Sequence, residues 1–446
     1  FYTRRIISFV RQGWMDNRNN PFHRFQFHPN PDIIVYKCSI QSSQEGRVPV
    51  NLPQLQQLIH QMGGRARSRD AERRDALEKS RSLLDQYNNQ QDLLRQMVQD
   101  AASVNNHLRC AIPGDEALSA AVNPPSTAGN LVLLAADGSQ INPSRHDAVQ
   151  FGVINVGVFR MRIGNAEPPS EITSTQLLAG DELFAEGSDP IPLEAFDMSE
   201  ELIALRRDLN ERRLLAELAQ GEEPPVLALT DGPLELFREP RSSGEYDRAF
   251  EEYLVELRRL SELNVIAAGY VDRPRADLLV RLLELLLIEN GRWNEAGRVR
   301  PLKRVLDAHL FHTILQPGQR SAVFGIQSPS TAKFTEDLAL HFFYLNVGRA
   351  GRPALARVEI PAWVARARGM VDLLHAALLA QCRLMGSHPY PYALHRAHET
   401  AVVTFAEKER IEEMMVGEYL RQGISVEGRS NKQSAKDLPG RTPLLP

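Results

Sequence analysis

Asp137, in AADGSQ, and Asp231, in LTDGPL, each close a short apolar run, and each is followed by glycine. A carboxylate at the carboxyl end of a buried strand is costly to desolvate unless something compensates its charge. A divalent cation is such a partner, because hard cations take carboxylate oxygens. The glycine permits a sharp turn and a close backbone approach. Asp-Gly is also a common turn sequence, so either aspartate alone could serve only the turn. On neighbouring strands the two would reach one ion. A third oxygen donor would come from the helix expected between them, where Glu200, Glu201, Asp208, Glu211 and Glu217 stand. Glu211, in RRDLNERRLLAEL, lies twenty positions before Asp231 and borders the apolar stripe of Leu214, Leu215 and Leu218. His395 and His398, in YPYALHRAHETAVV, are three apart and share a helical face. Either could bind metal or orient an attacking water, and either could equally be a hydrogen-bonded or exposed histidine with no such role.

Other chemistries lack their motifs. HExxH is absent, and no cysteines lie within range of the histidine pair, which argues against zinc. There is no GxxxxGK[ST] loop for nucleotide triphosphates and no GxSxG elbow, and GVINVG has the wrong spacing for a dinucleotide fingerprint.

The elements that must position the acids follow from periodicity. Residues 131–136 read as a buried strand, 149–163 alternate as one or two further strands, and 172–184 could supply another. A helix is expected from Ser199, as N-cap, to about Gln220, with Pro224-Pro225 ending it. Residues 226–230 form the next strand, 246–263 a helix, 265–271 a strand and 277–289 a helix. The order β, β, β, α, β, α, β, α suggests an antiparallel meander followed by parallel strands with crossover helices. That is an α/β fold with a ribonuclease-H-like mixed sheet, whose first and fourth strands lie side by side. Added helices are expected at both ends: one or two amphipathic helices over 51–108, and helices over 361–385 and 396–419 after a β-pair at 340–347 and 354–360. Residues 1–48 show no clear period, and 426–446 read as a mobile tail, leaving 49–425 as the folded domain.

Composition narrows the class. The 446 residues carry a net charge of −4, with 43% hydrophobic and 24% charged residues. This is a globular balance and not that of a strongly basic nucleic-acid-coating protein, so any basic groove must be local. Cys38, Cys110 and Cys382 are far apart, which fits reduced thiols and a cytoplasmic protein. No apolar run approaches the length of a membrane helix.

Six segments in series, LLAADGSQI, ALRRDLNERRLLAEL, LALTDGPLELF, GYVDRPRADLLVRLL, HFFYLNVG with ARVEIPAWVA, and YPYALHRAHETAVV, resemble the NurA nucleases in content and order over about residues 50–420. The resemblance implies a manganese-dependent nuclease (Mg²⁺ is possible) that cuts single-stranded DNA internally and degrades DNA 5′–3′. It implies a homodimer that partners a HerA-type hexameric translocase in DNA end resection and recombinational repair. It matches the family's metal-site residues to Asp137, Glu211, Asp231 and His398, with His395 one turn away. Arg275 and Lys333 are candidate DNA phosphate contacts. Two other readings stay open: a non-catalytic ring that docks a translocase, and a nuclease of the same fold acting on RNA.

Overall fold

The computed structural model describes residues 51–126, 129–144, 147–180, 195–236, 244–289 and 292–426. The extension expected over 1–48, the tail from 427 and the end of the strand expected to reach 184 lie outside the described residues. The described residues fall into two units, 51–66 and 67–426. The described part of the first is helical from Leu52, with Leu52, Leu55, Leu58, Ile59 and Met62 exposed.

In chain order the elements are α1 (Leu52–Gln86), α2 (Gln91–Val104), β1 (Cys110–Pro113), β2 (Leu131–Ile141), β3 (Phe151–Ile163) and β4 (Ser170–Ala179). Then come α3 (Ala195–Ala219), β5 (Val226–Asp231), α4 (Gly244–Glu262), β6 (Ile266–Asp272), α5 (Leu278–Leu285), α6 (Asp307–Ile314) and β7 (Phe324–Gln327). The chain continues through β8 (Leu340–Asn346), β9 (Leu355–Pro361), α7 (Ala362–Arg366), α8 (Arg368–Leu384), α9 (Tyr392–Ala401) and α10 (Phe405–Arg421).

The described strands form one sheet in the order β1-β7-β8-β9-β6-β5-β2-β3-β4. The β2–β3–β4 meander is antiparallel, and β2–β5 and β5–β6 are parallel. This is the ribonuclease-H-like arrangement, with β2 and β5 as its adjacent first and fourth strands. β6 then pairs antiparallel with β9, which carries the sheet on through β8, β7 and β1.

Alternation along β2 builds a core on each face. Leu131, Leu133 and Ala135 pack with Leu374, Ala377, Leu394 and Ala397 of α8 and α9. Val132, Leu134 and Ala136 pack with Leu202, Leu205, Leu209 and Leu215 of α3. Both faces are helix-covered, which accounts for the near-continuous apolar runs in β2 and β5. Each buried leucine contributes about 2 kcal/mol.

Several element bounds differ from the periodicity reading. β2 continues to Ile141 because β3 pairs with it along its whole length, so Asp137 is inside a strand. Only the parallel pairing to β5 stops at Ala136↔Thr230, just before both aspartates. α3 starts at Ala195, which places Ser199 inside the helix. No breaker separates Ala195 from Ser199, and the last one upstream is Pro192. The single helix expected over 396–419 is two. α9 ends at Ala401, and Thr404 caps α10, accepting from the Glu407 N–H at 3.2 Å while the Glu407 carboxylate accepts the Thr404 N–H at 2.7 Å. That Thr-x-x-Glu capping box was legible in TFAE. The helix expected over 361–385 likewise divides at Ala367.

Candidate metal centre

Asp137 and Asp231 occupy equivalent positions on adjacent parallel strands, one residue beyond the Ala136↔Thr230 pair. Neighbouring strands are about 4.8 Å apart, and residues in register point to the same face. Both aspartates follow the parity of Leu133, Ala135, Leu227 and Leu229, which line the face covered by α8 and α9. Desolvation raises the Asp231 carboxyl above the usual range. A hydrogen bond from Tyr390 opposes that rise, and the charge of Asp137 adds to it.

His398 reaches the same place from α9. Its Nδ1 lies 2.6 Å from Asp137 Oδ2, while Asp137 Oδ1 accepts the Gly138 N–H at 2.9 Å. His395 points elsewhere, with Nε2 3.5 Å from Glu399 Oε1. The approach of α9 depends on Gly157, the register partner of Asp137 in β3. A Cβ at Gly157 would sit 2.6 Å from the Ala401 nitrogen and 2.8 Å from the Ala397 oxygen, both backbone atoms that cannot rotate away. Gly157→Val should therefore destabilise the protein by about 2 kcal/mol in urea unfolding and shift the imidazole resonances of His398. Gly369→Ala, at a glycine with nothing within 4 Å, should do neither. Equal behaviour of the two variants would contradict this account of the helix seat.

Glu211 enters from the other face. It is buried on α3, and its Oε1 would lie 2.8 Å from a Cβ at Gly138, so the absent side chain admits the carboxylate beside the Asp137 strand. Its Oε2 accepts from Arg212 Nη1 at 2.8 Å. Arg212 is itself buried, donates to Thr230 Oγ1 at 3.1 Å and stacks 5.2 Å from the Tyr253 ring centre. Burial drives the Glu211 carboxyl upward, against the pull of Arg212.

Three residues that spacing did not single out complete the surroundings. Tyr390 hydrogen-bonds Asp231 and packs edge-on to Tyr270 at 5.6 Å. Glu359, fully buried on β9 and paired with Arg357, accepts the N–H groups of Leu234 at 2.7 Å and Glu235 at 3.1 Å. It thereby pins the turn that follows Asp231. Arg207 lies one turn before Glu211 on α3, with its Cγ over Gly138. Tyr390 stood in the quoted YPYALH segment, next to a proline at a helix start. Glu359 and Arg207 carried no signal beyond charge.

Lys333 pairs with Glu251 at 3.0 Å and Asp247 at 3.5 Å, over the Phe250 ring. Arg275 is exposed, three residues beyond β6. Among the described residues, no group of three or more His, Cys, Asp or Glu side chains is already arranged to hold a metal ion. Glu211 and Asp137 are each turned to a basic partner, Arg212 and His398. The residues fit a hard cation nonetheless: a carboxylate pair in register, a histidine at hydrogen-bond distance, and at Gly138 a cradle that any Cβ would fill.

A ribonuclease-H-like sheet with two acids just beyond the parallel pairing of its central strands, and a third acid on the helix between them, defines the class of this protein. The chain belongs to the NurA family: the NurA domain matches residues 131–403, more than half of its length. This is a family of metal-dependent nucleases. Among solved structures, the chain is similar to the NurA nuclease from Sulfolobus solfataricus (14% identity, TM-score 0.45, covering 68% of this chain and 89% of that one). A second NurA structure matches at 10% identity and TM-score 0.37, covering 66% of this chain and 90% of that one. The catalytic domain of human Endonuclease V matches at 15% identity and TM-score 0.28, covering 73% of this chain and 98% of that one. No curated protein matches the chain. Among the described residues, no helix is long and apolar enough to cross a membrane.

Proposed function

We propose that this protein is a manganese-dependent DNA nuclease, with Asp137, Glu211, Asp231 and His398 as its metal-site residues. The observation that carries this reading is the side-by-side placement of Asp137 and Asp231 on β2 and β5, with His398 2.6 Å from Asp137. Two carboxylates and an imidazole just beyond the β2–β5 pairing offer the oxygen and nitrogen donors that manganese or magnesium takes. A bound divalent ion there supplies Lewis-acid polarisation of the phosphate and a water acidic enough to attack at neutral pH. The chain does the rest. Asp137 and Asp231 orient the reacting face, Tyr390 holds the Asp231 carboxylate by its hydroxyl hydrogen, and Arg212 fixes one Glu211 oxygen so that the other faces Gly138. His398, exposed, is placed to hold and orient the attacking water or a ligand beside Asp137. Arg275 is a candidate contact to flanking phosphates, and Lys333 would have to leave Glu251 and Asp247 to serve as one.

On this reading the protein cuts single-stranded DNA internally, degrades DNA ends 5′–3′ and works as a homodimer with a HerA-type translocase in end resection, in the cytoplasm. The family membership and the acid arrangement support it. The test is cleavage of matched DNA and RNA oligonucleotides, single-stranded and duplex, with Mn²⁺, with Mg²⁺ and with chelator. Manganese-dependent DNA cutting is expected, and RNA cutting without DNA cutting would reject the substrate class. Addition of a HerA-type ATPase should raise degradation of duplex ends, and size measurement should give a dimer.

Protons and metal compete for the same carboxylates. Burial holds Glu211 and Asp231 above the ordinary carboxylate range, so both keep their protons to higher pH than a surface acid does. Manganese affinity, measured by calorimetry, should therefore keep rising from about pH 6 to about pH 8, by up to about tenfold per unit for each proton displaced. Glu211→Gln should flatten the slope. Affinity independent of pH over that range would contradict the desolvated carboxylates.

A further inference from the structure

Arg207 is a partly exposed cation beside the acidic centre, next to Gly138 and Glu211. It stands one helical turn before Glu211, so the two side chains leave α3 on the same face. Its aliphatic stem crosses Gly138, where a Cβ would meet its Cγ at 2.6 Å and its Cδ at 2.9 Å. Beyond that stem, the guanidinium reaches Asp208 Oδ1 through Nη2 at 2.9 Å and through Nε at 3.3 Å. Nη1 donates to Gln140 Oε1 at 3.3 Å, and Nε is 3.7 Å from Glu211 Oε1. The side chain keeps 30% of its surface in solvent, whereas its neighbour Arg212 keeps 3%. Arg212 is committed to Glu211, Thr230 and Tyr253. Arg207 has one contact under 3 Å, to a carboxylate outside the metal-site set, and three longer ones.

An incoming phosphodiester meets a centre whose acids repel it. It therefore needs a positive group that faces outward and has donors free to move. A guanidinium offers two parallel N–H groups matched to phosphate oxygens, and it stays charged at every working pH. We propose that Arg207 binds a non-bridging oxygen of the scissile phosphodiester, leaving its long contact to Glu211 when a divalent ion takes that carboxylate. This rests on the DNA-nuclease reading and adds a substrate-binding residue to it.

The proposal sets two effects of opposite sign. Without DNA, Arg207 competes with the metal for the carboxylates. With DNA, it holds the phosphate. In Arg207→Met, calorimetric titration of Mn²⁺ alone should show binding tightened about fivefold by removal of the neighbouring positive charge. At saturating Mn²⁺, cleavage of a 5′-labelled single-stranded oligonucleotide should lose about thirtyfold in kcat/KM. Arg207→Lys keeps the charge and loses the fork. It should bind manganese as the wild type does and recover only part of kcat/KM. An Arg207→Met protein with unfolding and circular dichroism like the wild type but kcat/KM within twofold of it would overturn the proposal. So would weakened manganese binding in that variant, which marks an arginine that only braces α3 against β2. A wild-type protein that binds manganese yet leaves DNA uncut would instead overturn the nuclease reading.

Discussion

Asp137→Ala should lower manganese-dependent DNA cleavage by on the order of a thousandfold or more, a loss typical of removing a group that organises charge in the transition state. Asp137 stands where the elements of the centre converge. Its Oδ2 faces His398, its strand neighbour across β5 is Asp231, and the next residue is the glycine that admits Glu211. Its removal takes away the proposed ligand and also releases His398 from its 2.6 Å contact. The fold should survive, because Asp137 is half-buried and its backbone remains paired with Gly157 of β3. Circular dichroism and urea unfolding should stay close to the wild type, and oligonucleotide binding in calcium should persist. Asp137→Asn, which keeps the shape and discards the charge, should fall nearly as far. Retention of manganese-dependent cutting by either variant would remove Asp137 from the site.

Arg212→Met carries the largest expected cost in stability. Arg212 and Glu211 are both buried, and their 2.8 Å ion pair is supported by Thr230 and by the Tyr253 ring. Cutting one partner out of a buried pair leaves the other desolvated and uncompensated, which costs about 3–5 kcal/mol. Glu211 would then hold its proton to a still higher pH, because burial already presses its carboxyl upward and Arg212 no longer opposes it. Urea unfolding should show the loss, and DNA cleavage should fall with it. The double variant Glu211→Gln/Arg212→Met should recover much of the stability but none of the activity. Saturating Mn²⁺ should raise the melting temperature of Arg212→Met by more than it raises that of the wild type, since the ion supplies the positive charge Glu211 has lost. A single variant as stable as the wild type would show that the pair is not coupled as its geometry indicates.

Much of this protein is written in local pattern. The apolar run of 131–136, the alternation of 149–163, the leucine stripe of α3 and the apolar 226–230 run give a mixed α/β core, because strand and helix periods differ. Asp137 and Asp231 could be picked out for the same local reason, a charge closing an apolar run before glycine. The series of six segments carried the family. Local pattern did not reach the short strands β1 and β7, whose four residues are too few to show a period. It also placed one helix where Thr404 starts a second.

Which groups meet was decided by tertiary structure. The choice between His395 and His398 at Asp137 turns on where α9 rests on β3, and that depends on a glycine some 240 residues earlier in the chain. The roles of Glu359, Arg212 and Arg207 arise from contacts across the sheet and along α3, invisible to any window of sequence. Side-chain type and spacing settle what chemistry a residue can do. Long-range packing settles which desolvated charges share one space, because electrostatic cost and gain depend on distance and burial rather than on order along the chain.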